Sequence, residues 1–462
     1  MMDGQLLKDL LAVELVQSKE EGRNGSAVDA LAREIHATGN DPHRLLELWN
    51  ALQEFPLETG FAFDEPNTLE AIQAKRPEAL QRSWPIPYDE MVLFDHLYGA
   101  WLGRCAGCAL GKPVEAVNGV TPGDPFTGKA RIKAYLQAIA PGEYPIKDYI
   151  PQSSPLAPPP FQPLCPASTR EQIAFMEADD DIRYTIVGQV VLQTYGVTFT
   201  TDDVARVWLK RLPYMLVCTA EAAAYRNLIN RYRCECEWTA TTPLDVAWVA
   251  TYLNPYREWI GAQIRCDSYG YAAAGNPALA AELAWRDARL SHVKNGIYGA
   301  MFCAAMIAAA FVLDDPLQIV EAGLNEIPQT SRLAHDIRHT IAICRRHQFH
   351  DVEPVLDELN TAFGHYNGVA TNNNAALVVA AVLLGGQDFE KGITTAVMGG
   401  WDTDCNGATV GSILGAMQGA QRLPEKWIAP LHDTINAQMY DYHPISIREC
   451  AGRSLQIIRA FV

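Results

Sequence analysis

Positive charge is what this chain has least of. Its 462 residues hold 37 Lys and Arg against 54 Asp and Glu, a net charge of −17. That balance argues against nucleic acid as a partner, because such binding draws its affinity from Lys and Arg on phosphates. A small phosphate-bearing substrate remains compatible where a metal or a few arginines offset the acidic field locally. A secretory signal is also missing: MMDGQLLKDLLAVE is acidic and amphipathic, with no basic stretch or cleavage site. Eleven cysteines, an odd number, suit free thiols in a reducing compartment better than a disulfide framework, so a cytoplasmic location is expected. The 18 uncharged residues from Gly296 to Leu313 only touch the lower limit for a membrane span. Their six alanines, flanked by Lys294 and Asp314, point to a buried helix, and no membrane is expected. Val and Ile rarely alternate with polar residues, so no sheet is expected either.

What is present is helix. Residues 1–52 read as two amphipathic helices, with Leu6, Leu7, Leu10, Leu11, Val13 and Leu15 at helical spacing before EEGRNGS interrupts. A stretch from about Glu54 to Pro87 with five prolines links them to the rest. We therefore divide the chain into an N-terminal helical extension and linker, residues 1–90, and an all-α domain, residues 91–462. Within the latter, residues 151–166 hold seven prolines, which cannot sustain a helix and read as a surface loop, either a plain connection or a lid.

Two acidic stretches stand out in this apolar body: Asp179-Asp180-Asp181, followed by Ile182, Ile186, Val187 and Val190 at helical spacing, and Asp402 and Asp404, followed by Ala408, Val410, Ile413 and Leu414. Such carboxylates cost several kcal/mol each to desolvate unless compensated, and neither stretch supplies the Lys or Arg to do so. Two readings fit. Solvated carboxylates suit the positive end of a helix dipole; alternatively, two helix heads converge on hard divalent cations. Cys105 and Cys108, with Cys234 and Cys236 far away, do not have the spacing of a structural zinc site. His335 and His339 lie one turn apart without a third ligand and read as a solvated helix face. In the run Thr371 to Asn374, the residues either cap the following helix or send an asparagine into the cleft.

Three segments together resemble the ADP-ribosylglycohydrolase family, also called the dinitrogenase-reductase-activating glycohydrolase family. They are GAWLGRCAGCALGKPVE at 99–115, DDDI at 179–182, and GGWDTDCNGATVGSILGAMQG at 399–419, the most specific of the three. The resemblance covers roughly residues 95–420, as a divergent member. It implies an all-α, orthogonal helical domain with two Mg²⁺ ions, or Mn²⁺, in a central cleft. Their ligands would be Asp179, Asp180, Asp181, Asp402 and Asp404. Cys405 stands where the family has a hydroxyl ligand, and a thiol is a poor donor for hard magnesium; Cys108 replaces an aspartate common in the family.

By the same resemblance, Glu115 or a metal-bound aspartate, Asp180, would activate water. Ser268, Tyr269 and Gly270 look like the loop that wraps the diphosphate and distal ribose, with Tyr271 in place of an asparagine. His292 resembles the histidine of a Thr-His pair, and Gly399 and Gly400 are also assigned to substrate binding. The expected reaction is hydrolysis of the glycosidic bond of an ADP-ribosylated protein or small molecule. The alternatives are hydrolysis of a simpler ribosylated metabolite or nucleoside, and a catalytically silent ADP-ribose-binding or structural member.

Overall fold

The computed structural model describes residues 3–78, 83–86, 89–118, 128–156, 164–232 and 243–460. Helices dominate, as the all-α reading expects. One small sheet departs from it. Met176–Glu177 pairs in parallel with Thr434–Asn436, which pairs antiparallel with Ile445–Ser446. Strands of two or three residues leave no alternation to read, so the sequence pattern could not reveal them. They matter because Met176–Glu177 leads directly into the three aspartates.

The centre of the molecule is a contact between Glu90–Gly111 and Thr403–Gln418. Asp89 starts the first of these helices by accepting from the N–H groups of Met91 and Val92 at 3.0 and 3.1 Å. Its Gly99, Gly103, Gly107 and Gly111 recur every four residues on one face. The same spacing places Gly407, Gly411 and Gly415 on the second helix. The helices run antiparallel, Gly99 against Gly415, Gly103 against Gly411 and Gly107 against Gly407, each pair meeting backbone to backbone. At the far end Gly111 abuts Thr403, whose Oγ1 donates to the Gly111 carbonyl at 2.9 Å. No residue with a Cβ fits such an approach.

Other helices wrap this pair. Lys294–Ala310 holds most of the Ala-rich run, buried as expected. No described helix is long and apolar enough to cross a membrane. The final helix, Ile447–Arg459, is tied in by Ser454, which accepts from Trp101 Nε1 at 3.1 Å and Gln189 Nε2 at 2.9 Å.

The extension contains three helices, Gly4–Glu20, Gly25–Ala37 and Pro42–Gln53, where the sequence suggested two. The missed boundary is Asp41, which caps His43 N at 3.0 Å ahead of a proline at the first helical position. Leu7, Leu11, Val28, Leu45 and Trp49 form a small core of their own, joined by Leu253 from the main body. Buried charge ties it down further. Arg257 pairs with Glu14 at 2.6 Å and with Glu21 at 2.6 Å, and Lys294 reaches Glu21 at 2.6 Å. Gln17 donates to Glu258 at 2.9 Å, and Glu258 also pairs with Arg332 at 2.8 Å.

Two stability measurements test this architecture. In an ordinary helix interior Gly→Ala stabilises by about 1 kcal/mol. Gly107→Ala is expected to do the reverse, losing about 3 kcal/mol or failing to fold because its Cβ would overlap the Gly407 carbonyl; a raised denaturation midpoint would contradict the backbone contact. Arg257→Ala should cost about 3–5 kcal/mol by leaving Glu14 buried without its cation and Glu21 with Lys294 alone. An unchanged melting temperature would mean that these pairs do not hold the extension.

Candidate metal-binding site

Both acidic stretches begin core helices. Asp179 is the N-cap of Asp180–Tyr195 and Asp402 that of Thr403–Gln418, yet neither side chain caps its own helix. The reason is that both point at a shared space. One ligand atom each from Cys108, Asp179, Asp181 and Asp404 all lie within 4.8 Å of one another, and the same holds for Asp402, Asp404 and Cys405. Asp404 belongs to both groups. Asp180 belongs to neither; it stands half-buried at the helix head beside them.

Each element has a local reason for its position. The strand Met176–Glu177 and the Arg183 side chain hold the entry to the first helix, with Arg183 donating to the carbonyls of Ala178 at 2.6 Å and Ala437 at 3.0 Å. In the second stretch Gly399 lies against Leu377, and Gly400 adopts φ +72° where its backbone meets Gly128 and Lys129. Only glycine takes that turn without strain. Asn374 braces the loop from behind: its Oδ1 accepts from Asp402 N at 3.1 Å and from Asn406 Nδ2 at 2.7 Å. Of the asparagine run, Asn374 therefore supports the acidic loop, while Asn372 donates to Asp336 and Asn373 to the Asn367 carbonyl; the N-cap of their helix is Ala370.

Charge is only partly balanced. Lys112 lies 3.4 Å from Asp179, and the buried Arg104 lies 3.4 Å from Asp181 and 2.9 Å from Asp267. Both cations come from the glycine-bearing helix and its end, so sequence reading confined to the acidic stretches missed them; a lone Arg in an Ala/Gly/Cys run was the available signal. The remaining excess shows in the acids. Burial, then Asp179, pushes Asp180 up to about 6 and Asp404 up to about 7. Burial also drives Asp181 and Asp402 well above the usual carboxylate range, reinforced by Asp179 and by Asp404 respectively. Glu115, half-buried in the turn Lys112–Asn118, is raised to about 9, by the Asp404 charge first and by burial second.

Two buried carboxylate oxygens, Asp402 Oδ1 and Asp404 Oδ1, have no hydrogen-bond partner. Orphaned buried acceptors beside clustered carboxylates are what a divalent cation satisfies, so the donor set fits one. The thiols meanwhile donate to the acids: Cys405 to Asp181 Oδ2 at 3.3 Å, and Cys108 to both Asp179 oxygens at 3.5 Å.

The other sequence candidates lie deeper. Ser268, Tyr269 and Gly270 are buried in the helix Asp267–Ala272, not in a loop. Ser268 donates to the Thr185 carbonyl at 2.7 Å, Tyr269 to Asp287 at 3.0 Å, and Gly270 packs on Ile307. Tyr271 is buried as well, its hydroxyl 2.8 Å from that of Ser412. His292 sits in a core network with Ser291, 2.8 Å away, Arg265 and Glu221; burial and Arg265 lower its pKa well below normal, leaving it neutral. His335 and His339 are exposed, as expected of a solvated face. Cys234, Cys236 and residues 157–163 of the Pro-rich stretch lie outside the described residues. The resumed chain is anchored near the site, with Leu164 N donating to Pro113 O at 3.0 Å.

A solved structure titled "ADP-ribosylglycohydrolase-related protein complex" is similar at 19% identity and a TM-score of 0.49, covering 80% of this chain and 100% of that one. No curated protein matches. The family model for ADP-ribosylglycohydrolase matches residues 89–453, from the start of the glycine-bearing helix to the last helix. This chain belongs to the ADP-ribosylglycohydrolase family.

Proposed function

We propose that this protein is a metal-dependent hydrolase that cleaves the glycosidic bond of an ADP-ribosylated protein or small molecule. The observation that carries the reading is the convergence of two helix heads on one carboxylate cluster, with Asp402 Oδ1 and Asp404 Oδ1 buried and unpartnered, in a chain of this family. Asp179, Asp181, Asp402 and Asp404 would hold the cations, with Asp180 alongside. These oxygen donors suit Mg²⁺, and also Mn²⁺; two neighbouring ions fit the two groups that share Asp404. Bound there, the cations supply Lewis acidity and a template for the ribose hydroxyls and a water.

The chain's own residues account for the remainder. Glu115 is the proposed base. Neutralising Asp404 removes the first cause of its raised pKa, leaving a carboxylate that can take a proton from water near neutral pH. Glycosidic cleavage passes through an oxocarbenium-like state, and the negative field of Asp179, Asp180 and Glu115 favours that developing positive charge. Lys112 and Arg104 keep Asp179 and Asp181 oriented.

A second reading has one observation in its favour. Ser268, Tyr269 and Tyr271 are committed to the core, which removes the side chains expected to contact a diphosphate and favours a simpler ribosylated metabolite or nucleoside. Turnover of ADP-ribosyl conjugates measured beside that of nucleosides decides between them.

Asp404→Asn should abolish both turnover and cation-dependent thermal stabilisation, whereas Glu115→Gln should lower kcat about 10²–10⁴-fold with cation binding retained. Full activity in either variant would remove that residue from its role. The pH dependence has a definite sign. Asp180 and Asp404 hold protons in the folded, cation-free protein up to about 6 and about 7. Their stabilising contribution is therefore complete below about 4 and is lost as pH rises through 6 to 7. Cations replace those protons, so the melting-temperature gain from Mg²⁺ or Mn²⁺ should be small below pH 6 and grow through pH 7. A pH-independent gain would place the cations elsewhere.

A further inference from the structure

The cation-binding reading rests on carboxylates, yet each of the two ligand groups also contains one cysteine, and the two sulfurs come from different helices. Cys108 lies in the last turn of Glu90–Gly111, and Cys405 in the first turn of Thr403–Gln418. Both are buried and both are free thiols. Among the described residues, no other cysteine joins an acidic group of this kind. The glycine contact brings them there: Gly107 against Gly407 and Gly111 against Thr403 flank both cysteines and fix their height along the helix pair.

We propose that Cys108 and Cys405 are metal ligands, making this a mixed oxygen–sulfur centre that selects cations accepting thiolate, Zn²⁺ or Co²⁺, over Mg²⁺. Ligand atoms around one tetrahedral zinc ion, with bonds of about 2.0–2.3 Å, lie roughly 3.3–3.8 Å apart. Cys108 Sγ is 3.5 Å from the Asp179 oxygens of its own group; Cys405 Sγ lies within 4.8 Å of ligand oxygens of Asp402 and Asp404 and 3.3 Å from Asp181 Oδ2 of the other group, so it stands between the two. Asp404, with its unpartnered Oδ1, is common to both groups and can bridge two ions. On binding, each S–H proton leaves to solvent as the metal–sulfur bond forms, with no change of oxidation state. Magnesium gains little from sulfur, whereas zinc and cobalt gain strongly, so the two cysteines move selectivity without altering the carboxylate framework.

The test uses the full chain, freed of metal and titrated with Co²⁺ and separately with Mg²⁺, as wild type, Cys108→Ser, Cys405→Ser and the double variant. Serine is nearly isosteric, and circular dichroism with thermal melting confirms folding of each variant. Wild type should develop a sulfur-to-cobalt charge-transfer band in the near ultraviolet. Each single variant should weaken it and the double variant abolish it. Calorimetry should show the ratio of Co²⁺ to Mg²⁺ affinity falling on the order of tenfold or more in the double variant. Cobalt bound without a sulfur band, or an unchanged affinity ratio, overturns the thiol assignment and leaves the carboxylate site standing. Failure of wild type to bind Mg²⁺, Mn²⁺ or Co²⁺ overturns the cation-binding reading and this inference with it.

Discussion

The backbone-to-backbone contact between Glu90–Gly111 and Thr403–Gln418 is the constraint on which the rest of the molecule depends. Seven glycines at four-residue spacing remove every side chain from one seam, so two helices approach to the limit set by their main chains. Because the seam runs antiparallel, the C-terminal end of one helix arrives at the N-terminal end of the other. Cys108, Lys112 and Glu115 are thereby delivered beside Asp402, Asp404 and Cys405. Sliding the seam by one glycine would displace each of these groups by four residues, about 6 Å, more than the 4.8 Å over which the ligand atoms cluster.

Around that seam, charge is managed in two contrasting ways. At the extension, buried acids meet guanidinium groups at close range: Glu14 and Glu21 meet Arg257, and Glu65 and Glu258 meet Arg332, at 2.6–2.8 Å. At the cluster, Arg104 and Lys112 face more carboxylates than they can neutralise, and pKa values there climb toward and past neutrality. The first arrangement ties Glu14, Glu21 and Glu65 near the N-terminus to Arg257 and Arg332. The second leaves carboxylates in excess of cations, the imbalance on which the proposed cation site rests.

The acidic stretches were legible because helical apolar spacing follows each one, and that local pattern alone marks Asp179 and Asp402 as helix heads. The three-helix extension was nearly so, with the Asp41-Pro42 start overlooked. The glycine periodicity is plain in the chain at 99, 103, 107 and 111 and again at 407, 411 and 415, but which stripe meets which is a long-range fact. Arg104 and Lys112 were passed over because each lies far in sequence from the acids it supports, and for the Asn372 to Asn374 run the sequence offered two roles without choosing between them. Ser268 to Tyr271 show the opposite failure. The family resemblance implied a loop wrapping a diphosphate, whereas short-range pattern says nothing about the helices that close over them.

By itself, then, the sequence determined the predominantly helical character, the acidic excess, the absence of membrane-length helices among the described residues and the residue types available for chemistry, because all of these depend on composition and on neighbours within a few positions. Only the tertiary structure decided that residues more than two hundred positions apart share one ligand space, that two cysteines stand inside it, and that Ser268, Tyr269 and His292 lie in the core. The physical reason is that burial and electrostatic coupling act across packed surfaces, and packing here is set by glycine seams whose partners no local window contains.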